Sequence, residues 1–258
     1  MFTEAYRNDL RDALIEKAGL DQRLVGVALT GSSSTGSEDR WSDIDLAFGV
    51  ASDQSLDQVI ADWTQYMHDE HRAVANVDVV SRATVYRVFL LANSLQVDIA
   101  FAPEHEFGAV APTFRLVSGT AHEQPRSGTP DVGQLIGMAW LYALHARTSI
   151  VRGRPWQAEH MISALRDQVV MLACVRHQVP AQQGRGVDML PRSVTESLQD
   201  ALVRNVDDAE LVRAFGHAMK LLIDEVEYSM EGADSLIPVL EELVRTADPQ
   251  APQPQPGS

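Results

Sequence analysis

Cysteine is almost absent. Cys174 is the single one in 258 residues and sits in an apolar stretch that reads as helix. An internal disulfide is therefore excluded, and a reducing cytoplasm is the expected compartment. No apolar run approaches the length needed to cross a membrane. The opening Met1-Phe2-Thr3-Glu4-Ala5-Tyr6-Arg7 lacks the basic-then-apolar order of a signal peptide. Basic residues are also few: 21 Lys and Arg against 36 Asp and Glu leave a formal net charge of −15. Nonspecific affinity for DNA or RNA rests on Lys and Arg contacts to phosphate, so a polymerase or a broad nucleic-acid surface is disfavoured. The same acidity would draw in a cationic small substrate, or would simply keep the protein soluble. Several chemistries lack their signatures. The eight histidines form no His-x-x-x-His or Cys/His cluster, which speaks against zinc. No Gly-Lys-Ser/Thr follows the Gly/Ser-rich stretch, which speaks against a P-loop. No Gly-x-Ser-x-Gly elbow is present.

At 45% hydrophobic residues the chain can bury a core. Helical spacing of Leu10, Ala13, Leu14 and Ala18 predicts a helix over 3–17, ending at Gly19. Leu24 to Thr30 and Ile44 to Val50 read as strands, and Leu56 to His71 as an amphipathic helix with Val59, Ile60, Trp63 and Met67 on one side. Strands are further predicted over 75–80, 85–91, 95–101 and 114–117, with Asn93-Ser94 as a hairpin turn. After Pro130 the strand signal fades. Helices are predicted over 132–152, 157–178, 194–203, 208–231 and 235–246. The expected fold is α/β: an N-terminal domain over 1–128 with a mixed sheet and flanking helices, then an all-α helical bundle over 129–247. The Pro- and Gln-rich tail over 248–258 is expected to be disordered.

The chemistry concentrates between the first two strands. Gly31-Ser32-Ser33-Ser34-Thr35-Gly36 is a turn of small residues whose backbone N–H groups can approach phosphate closely. Ser42-Asp43-Ile44-Asp45 follows, and carboxylates one residue apart on a strand share a face. Two such charges are costly together unless a divalent ion such as Mg²⁺ neutralises them. Asp98 interrupts the apolar run Leu95-Gln96-Val97-Asp98-Ile99-Ala100-Phe101, where an acid is expensive without a partner. It either joins the pair or faces water from an edge. Three converging carboxylates can hold two Mg²⁺ ions about 4 Å apart and assist in-line displacement at phosphorus.

Gly31-Ser32, Gly36, Ser42-Asp43 and Asp45, at these spacings, resemble the signature of the nucleotidyltransferase superfamily related to DNA polymerase beta. The Gln96-Val97-Asp98 strand is similar to the element that carries the superfamily's third acid. The resemblance spans Leu24 to Phe101. It implies that Gly31 and Ser32 hold the triphosphate of ATP as co-substrate, and that Asp43, Asp45 and Asp98 bind Mg²⁺. Several members place an arginine after Gly-Ser. Ser33 occupies that position here, and Arg40 is the candidate substitute. Ser42 either belongs to the nucleotide-binding set or orients the loop as a small turn residue.

An appended helical domain resembles the antibiotic-modifying branch, which adenylylates aminoglycosides or lincosamides. The segment from Arg152 through Glu159 to Leu165-Arg166 is similar to the helix that closes the cleft in those enzymes. Glu159, Ser163 and Arg166 fall on one helical stripe bordering Ile162, Leu165, Val169 and Leu172. Glu159 is thus a candidate general base beside Asp98, and Arg166 a candidate phosphate ligand. A solvated stripe, or a Glu–Arg pair bracing the bundle, is the plainer alternative. Glu104, His105 and Glu106 either line the cleft or form a surface loop. Trp63, Trp140 and Trp156 read as core or domain-interface aromatics, with Trp156 also placed to stack on a base or sugar. The expected activity is transfer of a nucleoside monophosphate, AMP from Mg·ATP, to a hydroxyl of a cationic small-molecule acceptor, with release of pyrophosphate. The alternatives are a toxin-type enzyme that modifies a protein or tRNA, and a non-catalytic nucleotide sensor.

Overall fold

Alternation of large and small side chains organises the N-terminal half. In the computed structural model, which describes residues 1–110, 113–125, 128–230 and 233–248, six strands form one sheet. They are β1 (Leu24–Thr30), β2 (Ile44–Val50), β3 (Ala73–Ser81), β4 (Thr84–Leu91), β5 (Gln96–Pro103) and β6 (Phe114–Gly119), in the order β3-β4-β5-β2-β1-β6. β2 and β5 run parallel and the other neighbours antiparallel, so the sheet is mixed. Ile44, Leu46, Phe48 and Val50 of β2 share one face with Val97, Ile99 and Phe101 of β5. These seven pack with α1 (Glu4–Leu20) and α3 (Leu56–His71) into a core that includes Leu14, Val59, Trp63 and Met67. The Phe48 and Trp63 rings stand 4.8 Å apart. Each such side chain contributes about 1.5–3 kcal/mol of burial.

The other face is built of small residues. Ala47 and Gly49 of β2 stand beside Ala100 and Ala102 of β5, and Phe107 lies across them. A Cβ on Gly49 would come within 2.6 Å of the Phe107 ring, so only glycine admits it there.

Local chemistry explains the element ends. Thr3 caps α1 by accepting from Tyr6 N–H, and Ser55 caps α3 by accepting from Gln58 N–H. α1 runs through Gly19 to Leu20 instead of stopping at the glycine. Gly31–Thr35, read from sequence as a loop, forms a short helix, α2. Its hydroxyls fold back on the preceding turn: Ser33 Oγ donates to Thr30 O at 2.9 Å, and Ser34 Oγ to Gly31 O at 2.8 Å. Gly36, at φ 69°, closes it. Ser94, at φ 70°, turns the β4–β5 hairpin.

The chain divides into two compact units, Met1–Ser127 and Gly128–Ser258. The described part of the second is helical: α4 (Val132–Val151), α5 (Pro155–Arg176), α6 (Arg192–Asp200), α7 (Asp208–Ser229) and α8 (Ile237–Arg245). Its core draws Ala139, Ala143 and Ala146 from α4, Ile162, Leu165 and Val169 from α5, and Phe215, Met219 and Leu222 from α7. The buried Glu225 carboxylate accepts from Arg176, with Nη2 at 2.7 Å. Glu231, the predicted end of the fourth helix, and the tail from 249 onward lie outside the described residues. No described helix is long and apolar enough to cross a membrane.

Candidate active site

The parallel pairing of β2 with β5 sets Asp45 directly beside Asp98. β5 lies inside the sheet, between β4 and β2, so Asp98 is not on an edge strand. Asp43 precedes the first residue of β2, and its Oδ2 accepts a hydrogen bond from Gln96 Nε2 at 3.1 Å. Asp98 Oδ1 is buried and has no hydrogen-bond partner. Burial, and then the nearby charge of Asp43, push its pKa up to about 6.

Gly31 opens α2 at φ 56°, and a Cβ there would lie 1.9 Å from Asp45 Oδ2. Glycine is required twice over, by backbone conformation and by the approach of the carboxylate. Ser32 is half-buried, while Ser33 is buried. The guanidinium of Arg115, from β6, reaches the Ser33 carbonyl at 3.5 Å. Arg40 is exposed and lies over the Trp41 ring at 4.4 Å. Ser42 knots the loop before the aspartates. Its Oγ accepts from Asp39 N–H at 2.8 Å and donates to Asp39 Oδ1 at 3.1 Å.

A cavity of about 350 Å³ in the N-terminal unit has Asp45 and Asp98 in its wall, together with Tyr86, Glu106, Phe107 and Phe114. Tyr86 sits opposite Ala100, two register steps from the Val88–Asp98 pair and so on the same face. Burial and the charges of Asp98 and Glu106 raise its phenol above the usual value. Glu106 accepts from Thr84 Oγ1 at 3.0 Å and from Ala83 N–H at 3.2 Å, which orients its carboxylate at the wall. Glu104 turns elsewhere and accepts from Ser52 Oγ. Sequence reasoning missed Tyr86 and Arg115. The available signal was a polar side chain in each of two apolar strands, but nothing local says which face it takes.

Among the described residues, no three His, Cys, Asp or Glu side chains already stand as a metal cage. The donor chemistry still suits a hard divalent cation: two adjacent carboxylates, a third close enough to be felt, and one buried oxygen without a partner. In the helical unit, Glu159 and Arg166 do not pair with each other. Glu159 accepts from Ser163 Oγ at 2.8 Å, and Arg166 pairs with Asp167 at 3.4 Å. Trp63 is fully buried, but Trp156 is 74% exposed and lies outside the core.

No family model and no curated protein sequence matches the chain. Among solved structures, it is similar to an aminoglycoside 6-adenyltransferase from Bacillus subtilis, at 10% identity and a TM-score of 0.41, over 90% of this chain and 96% of that one. It is also similar to the polymerase core of TRAMP, an RNA surveillance complex, at 12% identity and a TM-score of 0.32. That alignment covers 90% of this chain and 60% of the other. Likeness this distant says nothing by itself about what the chain binds or modifies.

Proposed function

We propose that the chain transfers a nucleoside monophosphate, AMP from Mg·ATP, to a hydroxyl of a small-molecule acceptor and releases pyrophosphate. The observation that carries this reading is the register of Asp45 beside Asp98, with the unpartnered Asp98 oxygen at a cavity wall. Asp43, Asp45 and Asp98 would hold two Mg²⁺ ions, which supply neutralisation of phosphate charge and polarisation of the reacting phosphoryl group. Gly31 and Ser32 present backbone to the β- and γ-phosphates. Arg115, whose guanidinium reaches α2, joins Arg40 as a candidate to balance their charge.

The acceptor lies in the cavity with its hydroxyl toward Asp98. Its oxygen forms the new bond to the α-phosphorus as the bond to the bridging oxygen breaks, and the pyrophosphate leaves. Asp98, at the cavity wall, takes the hydroxyl proton. Glu159 and Arg166 of the helical unit are second candidates for the base and for a phosphate cation. The net charge of −15 favours a cationic acceptor, an aminoglycoside before a lincosamide.

Incubating the protein with Mg·ATP and an antibiotic panel tests this reading by mass spectrometry. An adenylyl adduct on one compound is expected with the wild type. It should be absent with Asp43→Asn, whose circular dichroism should match the wild type. Normal turnover in that variant would refute the metal assignment, and no adduct on any compound would refute the acceptor class.

A further inference from the structure

We infer that Arg7, on α1 and outside the nucleotidyltransferase-like stretch, is a positioning residue for the aspartates, acting through the loop that leads into them. Arg7 is only 3% exposed, an unusual fate for a guanidinium, whose burial is costly unless it is paired and hydrogen-bonded. Two of its hydrogen bonds and one ion pair go to one short segment, and Nε and Nη2 also donate to Asn8 Oδ1 on the same helix. Nη1 donates to the backbone carbonyl of Asp39, and stands 3.4 Å from that of Ser42. Nε lies 3.6 Å from the Glu38 carboxylate and also donates to Asn8 Oδ1 at 3.3 Å. Arg11, one turn further along α1, grips both oxygens of Glu38 at 2.9 and 2.8 Å. Glu38 thus ties two arginines of one helix to the loop.

The clamped segment is closed on itself as well. Asp39 Oδ1 accepts from Trp41 N–H at 2.8 Å and from Ser42 Oγ, and Asp39 N–H donates to Ser42 Oγ. The residue after this knot is Asp43. β2 fixes Asp45 through its ladder to β5, but Asp43 lies outside the strand and has no ladder to place it. Gln96 of β5 holds the Asp43 carboxylate, and Arg7 constrains the backbone that leads into it. A lysine in its place would keep the charge but not the planar fork that reaches two carbonyls and a carboxylate together.

This inference rests on the metal-assisted transfer proposed above, and the test separates the two. Mn²⁺ binding to the full chain, without nucleotide, is read by electron paramagnetic resonance for the wild type, Arg7→Lys and Arg11→Met. Hydrogen exchange of residues 38–43 is followed in parallel. Arg7→Lys is expected to weaken Mn²⁺ affinity about tenfold, as loss of an outer support to a metal ligand commonly does. It should also speed exchange in the loop and lower kcat with little change in KM for the acceptor. Arg11→Met, which leaves the Arg7 contacts in place, should change Mn²⁺ affinity less than threefold and serves as the folded control. A folded Arg7→Lys with wild-type Mn²⁺ affinity and loop exchange overturns the clamp alone. If Arg7→Lys does not fold, Arg7→Gln, which cannot span both carbonyls and the Glu38 carboxylate, takes its place, with the same loosening expected and unchanged affinity overturning the clamp. A wild-type chain that binds no Mn²⁺ overturns both this inference and the reading beneath it.

Discussion

Asp98 holds its proton more tightly than an exposed aspartate does, because burial and then the charge of Asp43 disfavour its ionised form. Its folded-state value of about 6 lies above the ordinary value near 3.9. Between those values the folded chain keeps a proton that the unfolded chain has released. The stability Asp98 contributes is therefore full at low pH and is lost as pH rises through 6. In the presence of a chelator, Asp98→Asn should gain on the wild type by roughly 2 to 3 kcal/mol between pH 4 and pH 8, as read by urea unfolding. Parallel pH curves for the two proteins would mean that the carboxylate is solvated. Asp98 stood out in the sequence because an acid in an apolar strand requires a reason. Arg7 and Arg115 did not, because their partners lie on other segments of the chain and no local pattern announces them.

At the scale of elements, β1, β2 and α3 begin and end where apolar periodicity and the Ser55 cap place them. α2 escaped because a Gly/Ser run has no apolar period, and its turn is held by side-chain hydroxyls. The short 3-10 turn over Glu104–Glu106 escaped for the same reason, although it brings Glu106 to the cavity wall and leads into Phe107. Phe107 covers the small-residue face of β2 and β5 and is only 1% exposed. Phe107→Ala should destabilise the N-terminal unit by about 3 kcal/mol in urea unfolding. It should also weaken acceptor binding, because Phe107 forms part of the cavity wall. A loss below about 1 kcal/mol would show that neighbouring groups collapse into the space.

At the scale of the whole molecule, the core of α4, α5, α7 and α8 is made from the second unit's own residues, Leu135 through Ala247. Residues 128–248 expressed alone should therefore give a helical circular dichroism spectrum and one cooperative thermal transition. A non-cooperative melt would show that this core is incomplete without residues 1–127. The composition, the strand and helix periods, and the chemistry of Gly31, Asp43, Asp45 and Asp98 were determined by the sequence alone, because each is a local property of residue type and spacing. Which strands pair, and in what register, was decided only by the tertiary structure. β2 and β5 are joined through α3, β3 and β4, so the step that sets Asp45 beside Asp98 is a long-range choice of packing. A shift of one residue would have turned that acid into the apolar core.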